Sequence, residues 1–249
     1  MYKPRKGIKM ERIMEFDGFK FRAEDFVVKT TKIKREFTKK EEIIHAVMHG
    51  AAAIVGIVAL VFLVLRASSM GALALSGAIF FGMSLVILYS ASLFYHATCI
   101  KYSVSDGALL RKIAQKCDHS LIFLLILGTY VPACWTALGG VMGWTVFAIV
   151  ATCSILGMAL NVINVSKFAK VSLVLNLISG WTIVVASLPY YNAIGPIGFN
   201  FLVAGGLFYT VGVVFYKLKR IPYMHVIWHS FVILGTVMHY IMIYSYVYA

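Results

Sequence analysis

Residues 222–244, PYMHVIWHSFVILGTVMHYIMIY, decide how this chain is read. The run is apolar throughout, contains no Asp, Glu, Lys or Arg, and matches the ~20 residues that cross a bilayer as one helix. It also carries His225 and His229. A spacing of four puts both imidazoles on one helix face, about 6 Å apart along the axis. A single metal ion can bridge such a pair, and neutral imidazole is a common zinc ligand. The alternative is two histidines hydrogen-bonded between helices or resting near the interface.

The surrounding chain has the same character. Of its 249 residues 61% are hydrophobic and only 13% charged, with mean hydropathy +0.85. A soluble domain averages about a quarter charged residues and could not hide this much apolar surface. The composition predicts an all-α integral membrane protein. Seven apolar spans are legible, at 43–65, 73–98, 115–134, 141–161, 171–190, 196–216 and 223–247. They predict a seven-helix bundle over residues 41–249, preceded by a basic tail over 1–40. The tail is expected to be partly disordered, although its alternating charged and aromatic residues (FDGFKFRAEDFVVKTTKIKREF, 16–37) also suit a short amphipathic or strand-like piece on anionic lipid. Met10 and Met14 leave a later start open, and no apolar h-region precedes the first span, so that span is expected to act as the insertion signal.

Charge supplies an orientation. Twenty-two of the 23 Lys and Arg fall in the tail and in the 2–3, 4–5 and 6–7 connections, leaving Arg66 alone on the other side. The positive-inside rule then predicts a cytoplasmic N-terminus and an extracytoplasmic C-terminus, in the plasma (inner) membrane. The net charge of +13 is accounted for by this asymmetry and by anionic lipid. No folded basic domain exists to bind nucleic acid. Cys99, Cys117, Cys134 and Cys153 show no paired spacing and read as buried thiols.

In this orientation the ionisable residues of four spans reach one depth. Span 1 opens with Glu42, His45 and His49, span 2 closes with Ser92 and His96, span 3 opens with Asp118 and His119, and span 7 opens with His225 and His229. Past residue 42 the only acids are Asp106 and Asp118, and a carboxylate in a span needs a partner inside the bundle. For Asp118 the plain alternative is an interfacial ion pair with Lys116 or Arg111. Two metal arrangements compete. His96, His225 and His229 would leave a fourth position open to water, with Asp118 placed to take its proton. Alternatively, His45 and His49 would form their own clip beside Glu42. Spacing does not choose between them. His239, about 15 Å further along its helix than His229, cannot share the ion and reads as an interhelical hydrogen bond.

Several ordered motifs carry a resemblance: Glu42 to His49, Ser92 to His96, Asp118-His119-Ser120 with Gly128-Thr129-Tyr130, Pro222 through His225 to His229, and His239-Tyr240. From about Lys39 to the C-terminus the chain resembles the hemolysin III family, the bacterial branch of the progestin and adipoQ receptor superfamily. That resemblance implies a seven-helix bundle with zinc near the cytoplasmic leaflet, held by His96, His225 and His229 and lined by Ser92 and Asp118. His45 stands where the family pattern has Asn, a departure within the first span. The superfamily is similar in its site to alkaline ceramidases, which implies a zinc-dependent hydrolase acting on a membrane lipid amide or ester. A sensor or receptor with structural zinc is the second expectation. A pore-forming or cytolytic activity is the third, and the absence of a secretion signal argues against it.

Overall fold

The computed structural model describes residues 14–16, 19–21, 36–102 and 107–249. The chain divides into two units, Met1–Glu36 and Phe37–Ala249. In the first, β1 (Met14–Phe16) pairs antiparallel with β2 (Phe19–Phe21), Met14 facing Phe21 and Phe16 facing Phe19. The two strands flank Asp17-Gly18, a dipeptide suited to a two-residue hairpin turn. The strand-like option for this stretch is therefore realised in six residues. The disorder expected for the rest of the tail falls outside the described residues.

The second unit is helical. It comprises α1 (Lys39–Ala67), α2 (Ala72–Lys101), α3 (Ala108–Pro132), α4 (Gly140–Trp181), α5 (Ser187–Lys217) and α6 (Met224–Met242). Wider π-helical turns extend α3 over Ala133–Leu138 and α6 over Ile243–Val247. Among the described residues, five helical stretches are long and apolar enough to cross a membrane. This is a multi-pass helical membrane protein. Its surface follows from its solvent: α1 turns Val47, Ile54, Val55 and Leu65 outward, which lipid rewards and water would not. The same helix buries Glu41, Glu42, His45 and His49.

One of the five stretches, Gly140–Lys217, is 78 residues long. As a straight helix it would reach about 117 Å, several bilayer thicknesses, and its sequence breaks it. At Asn164 the backbone turns extended (φ −162°, ψ 98°), and the Asn164 Oδ1 accepts the Lys167 N–H at 2.9 Å, an N-cap that restarts the helix. Around this break Ser172 Oγ donates to Asn161 Oδ1 at 2.7 Å. A 3-10 turn, Thr182–Ala186, separates α4 from α5. At Gly195 φ is +70°, a value that favours glycine, and Pro196 follows at the first position of the renewed helix. The connections expected at 162–170 and 191–195 are thus single-residue breaks with helix on both sides.

Helices pack in sequence order, α1 on α2, α2 on α3 and α3 on α4, with α5 on α6 and α6 closing against α1. Small residues permit the close approaches, since apolar driving force between helices is weak in lipid. A Cβ on Gly157 would fall 2.1 Å from the Phe123 ring.

Two hydrogen bonds tie α1 to the end of the chain and to the start of α6. At one end, Arg66 Nε donates to the Tyr248 carbonyl at 2.6 Å. At the other, Thr38 and Glu41 form a capping box, and the second oxygen of Glu41 accepts the Tyr223 N–H at 2.7 Å. Tyr223 is the N-cap of α6 and, among the described residues, the only non-glycine with positive φ (62°). Pro222 therefore precedes the cap and does not occupy the first helical turn. Glu41 holds the strained cap residue in place, which sets α6 against α1 just before the histidines of each.

Candidate metal centre

On α1, Glu42, His45 and His49 share a face because they are spaced three and four apart. His96 lies near the end of α2, and His225 and His229 lie in the first two turns of α6. The three helices bring five imidazoles together. All are buried, with His45 and His96 fully so.

The polar atoms of this cluster fall into two groups. One set is paired outward. The His96 Nδ1–H donates to Glu42 Oε2 at 2.6 Å, which leaves His96 Nε2 for another partner. His229 Nδ1 and His49 Nε2 are 2.9 Å apart, which leaves His229 Nε2. The other set has no hydrogen-bond partner among the described residues: His96 Nε2, His229 Nε2, both nitrogens of His45, and Nδ1 of His49 and of His225. Buried unpaired polar atoms are costly. Here they converge.

His45, His96 and His229 each offer a nitrogen, all within 4.8 Å of one another, and could hold a metal ion. Small side-chain rotations narrow that spread to the ~2.1 Å bonds of an imidazole-bound zinc. The Glu42 carboxylate on His96 is the outer partner that metal-ligating histidines commonly have, fixing tautomer and ring direction. The donor chemistry and the orphaned atoms therefore fit an ion. His45 and His49 do not make a separate clip. His45 joins His96 and His229, while His49 hydrogen-bonds to His229 from outside. The His225 ring lies 4.4 Å from that of His229 and is stacked by Phe37 at 4.7 Å.

Asp118 and Ser92 meet directly, Ser92 Oγ donating to Asp118 Oδ1. Both are buried. The other carboxylate oxygen of Asp118 lies 4.0 Å from His119 Nδ1, and Lys116 and Arg111 are not among its ion-pair partners. His119 also presents its backbone carbonyl to Asn161 Nδ2 at 3.1 Å. Asp118, Ser92, His49, His225 and His229 line one end of a cavity of about 160 Å³, whose walls are otherwise mostly apolar. The cavity runs on to Trp181 and His239. His239 bonds the Leu202 carbonyl at 3.1 Å, the interhelical hydrogen bond that its position predicts.

The model of a family described as haemolysin-III related matches residues 37–240. The chain belongs to the haemolysin-III family. It is 38% identical to "Hemolysin-3" of Bacillus cereus over 209 residues, covering 84% of this chain and 92% of that one. It is 37% identical to the "Hemolysin-3 homolog" of Bacillus subtilis (strain 168) over 201 residues, covering 80% and 91%. Human "Monocyte to macrophage differentiation factor" is 29% identical over 177 residues, 68% of this chain and 69% of that one. The matched region of this haemolysin-III chain contains every residue of the cluster. The family and superfamily expected from the ordered motifs are the ones found.

Two contributions escaped the sequence reading. Glu42 stood only as a neighbour of His45, whereas it orients His96 across a helix interface. The signal was its spacing of three and seven from His45 and His49. Glu41 gave no sign of bonding Tyr223, because a contact between residues 182 positions apart has no local signature. Replacing Glu42 by Gln is expected to weaken metal retention about 10–100-fold, measured by competition with a chelator in detergent, with the protein's size-exclusion profile unchanged.

Proposed function

We propose that this haemolysin-III protein is a metal-dependent hydrolase of a membrane lipid amide or ester, with zinc held by His96, His225 and His229. One observation carries the reading: His49, His225 and His229 and the Ser92–Asp118 pair line a cavity whose remaining walls are mostly apolar. Such a cavity suits an amphiphile with its polar bond at the histidines and its chain along the apolar walls. A zinc ion bound there would supply Lewis-acid polarisation of a carbonyl and acidification of water. The chain's own residues do the rest. Ser92 fixes one oxygen of Asp118 by hydrogen bonding, which leaves Oδ2 to accept a proton from water. Glu42 and His49 hold the His96 and His229 rings with Nε2 turned away from their hydrogen bonds. Apolar walls exclude bulk water from the reacting end.

The reading includes seven spans, with the N-terminus cytoplasmic, in the plasma membrane. The breaks at Asn164 and Gly195 support the count, because they divide Gly140–Lys217 into three pieces each long enough to cross. The distribution of Lys and Arg supports the orientation. In intact cells, single cysteines introduced near Ser68 in a background lacking Cys99, Cys117, Cys134 and Cys153 should react with a membrane-impermeant thiol reagent, and those near Lys167 should not. Equal labelling at both positions would reject the topology.

The functional test is release of a fatty acid from lipid amides or esters by the purified protein in mixed micelles. Turnover abolished by a chelator and restored by zinc is the expected result. A membrane sensor with a structural metal is the second reading, favoured by the approach of His45 to the cluster. It would show ligand-dependent change without turnover.

A further inference from the structure

We infer that His45 is a direct ligand of the metal, which makes the centre of this chain a four-imidazole site built from His45, His96, His225 and His229. The inference rests on the metal-centre reading and deepens it.

The ring positions carry the argument. Four imidazoles on one tetrahedral ion with ~2.1 Å bonds have ring centroids about 5.2 Å apart. The His45 ring lies 4.4 Å from His96, 4.9 Å from His229 and 5.2 Å from His225. The other separations are 4.4 Å for His225–His229, 5.3 Å for His96–His229 and 6.3 Å for His96–His225. The six values bracket the tetrahedral one; the widest, His96–His225 at 6.3 Å, exceeds it, and the nitrogens that already converge within 4.8 Å are those of His45, His96 and His229. His49 stands outside this set: its Nε2 bonds His229 Nδ1, and although its Nδ1 is buried and unpaired, it is not among the nitrogens that converge within 4.8 Å.

The unpaired atoms agree. His45 is 0% exposed, and neither of its nitrogens has a hydrogen-bond partner among the described residues. A histidine kept only for packing would leave two buried polar atoms unpaired, where Leu or Phe would leave none. Glu42 orients His96 and lies close to His45. Its Oε2 accepts from His96 Nδ1 and lies 3.6 Å from His45 Nδ1. His96 is thus anchored by Nδ1 with Nε2 directed elsewhere, while His45 Nδ1 lies near the same carboxylate but beyond hydrogen-bond distance.

Neither His45 nor His96 lines the cavity, whereas His225, His229 and Asp118 do. His45 therefore approaches the ion from the side away from the cavity, and a water on the ion would be a fifth ligand on the cavity side, beside Asp118 and Ser92.

The test uses full-length protein in detergent, loaded with zinc or cobalt(II). X-ray absorption at the zinc edge should count four imidazoles in the wild type and three in His45→Asn. The variant should also hold zinc at least ~10-fold less tightly. In the cobalt(II) form of His45→Cys, a thiolate-to-cobalt charge-transfer band should appear that the wild type lacks. Bound cobalt without that band, or an unchanged imidazole count in His45→Asn, would overturn the role of His45 while leaving a metal centre standing. A wild type that binds neither ion would overturn both.

Discussion

Purified in detergent without chelators, the wild-type protein is expected to carry about one zinc ion per chain, and the His225→Ala/His229→Ala double variant essentially none. His229 is the pivot of this expectation. Its Nε2 is buried and unpaired, its Nδ1 is held by His49, and its ring faces those of His45, His96 and His225. Removing it takes away one of the three nitrogens that converge within 4.8 Å. Removing His225 as well strips α6 of both imidazoles. Loss of an outer partner alone costs ~10–100-fold in metal affinity, so loss of two direct ligands should exceed that. The double variant should still insert and run as a single species on size exclusion, because both substitutions replace His by a strong helix former inside an apolar helix. Elemental mass spectrometry reads the result. Full metal content in the double variant would move the site onto α1 and α2 alone. No metal in the wild type would remove the hydrolase reading altogether.

The second large effect is expected at Asp118. Asp118→Asn should leave the zinc content unchanged and lower lipid turnover by ~10²–10⁴, the usual worth of a positioned general base. Asn keeps the shape and can still accept the Ser92 hydrogen bond, but it cannot take a proton. Ser92→Ala should cost less, since it frees the carboxylate without discharging it. A structural carboxylate would give the opposite order of effects. Its removal would lower the amount of folded, metal-loaded protein and leave turnover per bound zinc unchanged. The measurement is therefore kcat per mole of zinc, taken together with KM. A fall confined to KM would assign Asp118 to substrate binding.

Much of the bundle was legible because a bilayer leaves few solutions. Long apolar runs must be helices, and the five membrane-length helical stretches include all seven runs seen in the sequence. The connections were less legible. Sequence around 162–170 reads as a loop carrying Lys167 and Lys170, yet Asn164 alone breaks the helix and caps the next. A side chain that can cap is indistinguishable in sequence from one that merely sits in a loop. The histidines of α1, α2 and α6 announced themselves by spacing and by the cost of imidazole in an apolar span.

Sequence by itself determined the class of this protein, its family and the residue types at its polar centre. Periodicity, apolar length and spacings of three and four are local properties that need no knowledge of the partner helix. Only the tertiary structure decided which histidines meet. It placed His45 beside His96 and His229 and not in a clip with His49, set Glu42 on His96, and locked α1 to α6 through Glu41 and Tyr223. The physical reason is that a helix face specifies a direction only. What lies opposite depends on how α1, α2 and α6 rotate and slide against one another, which no single segment encodes.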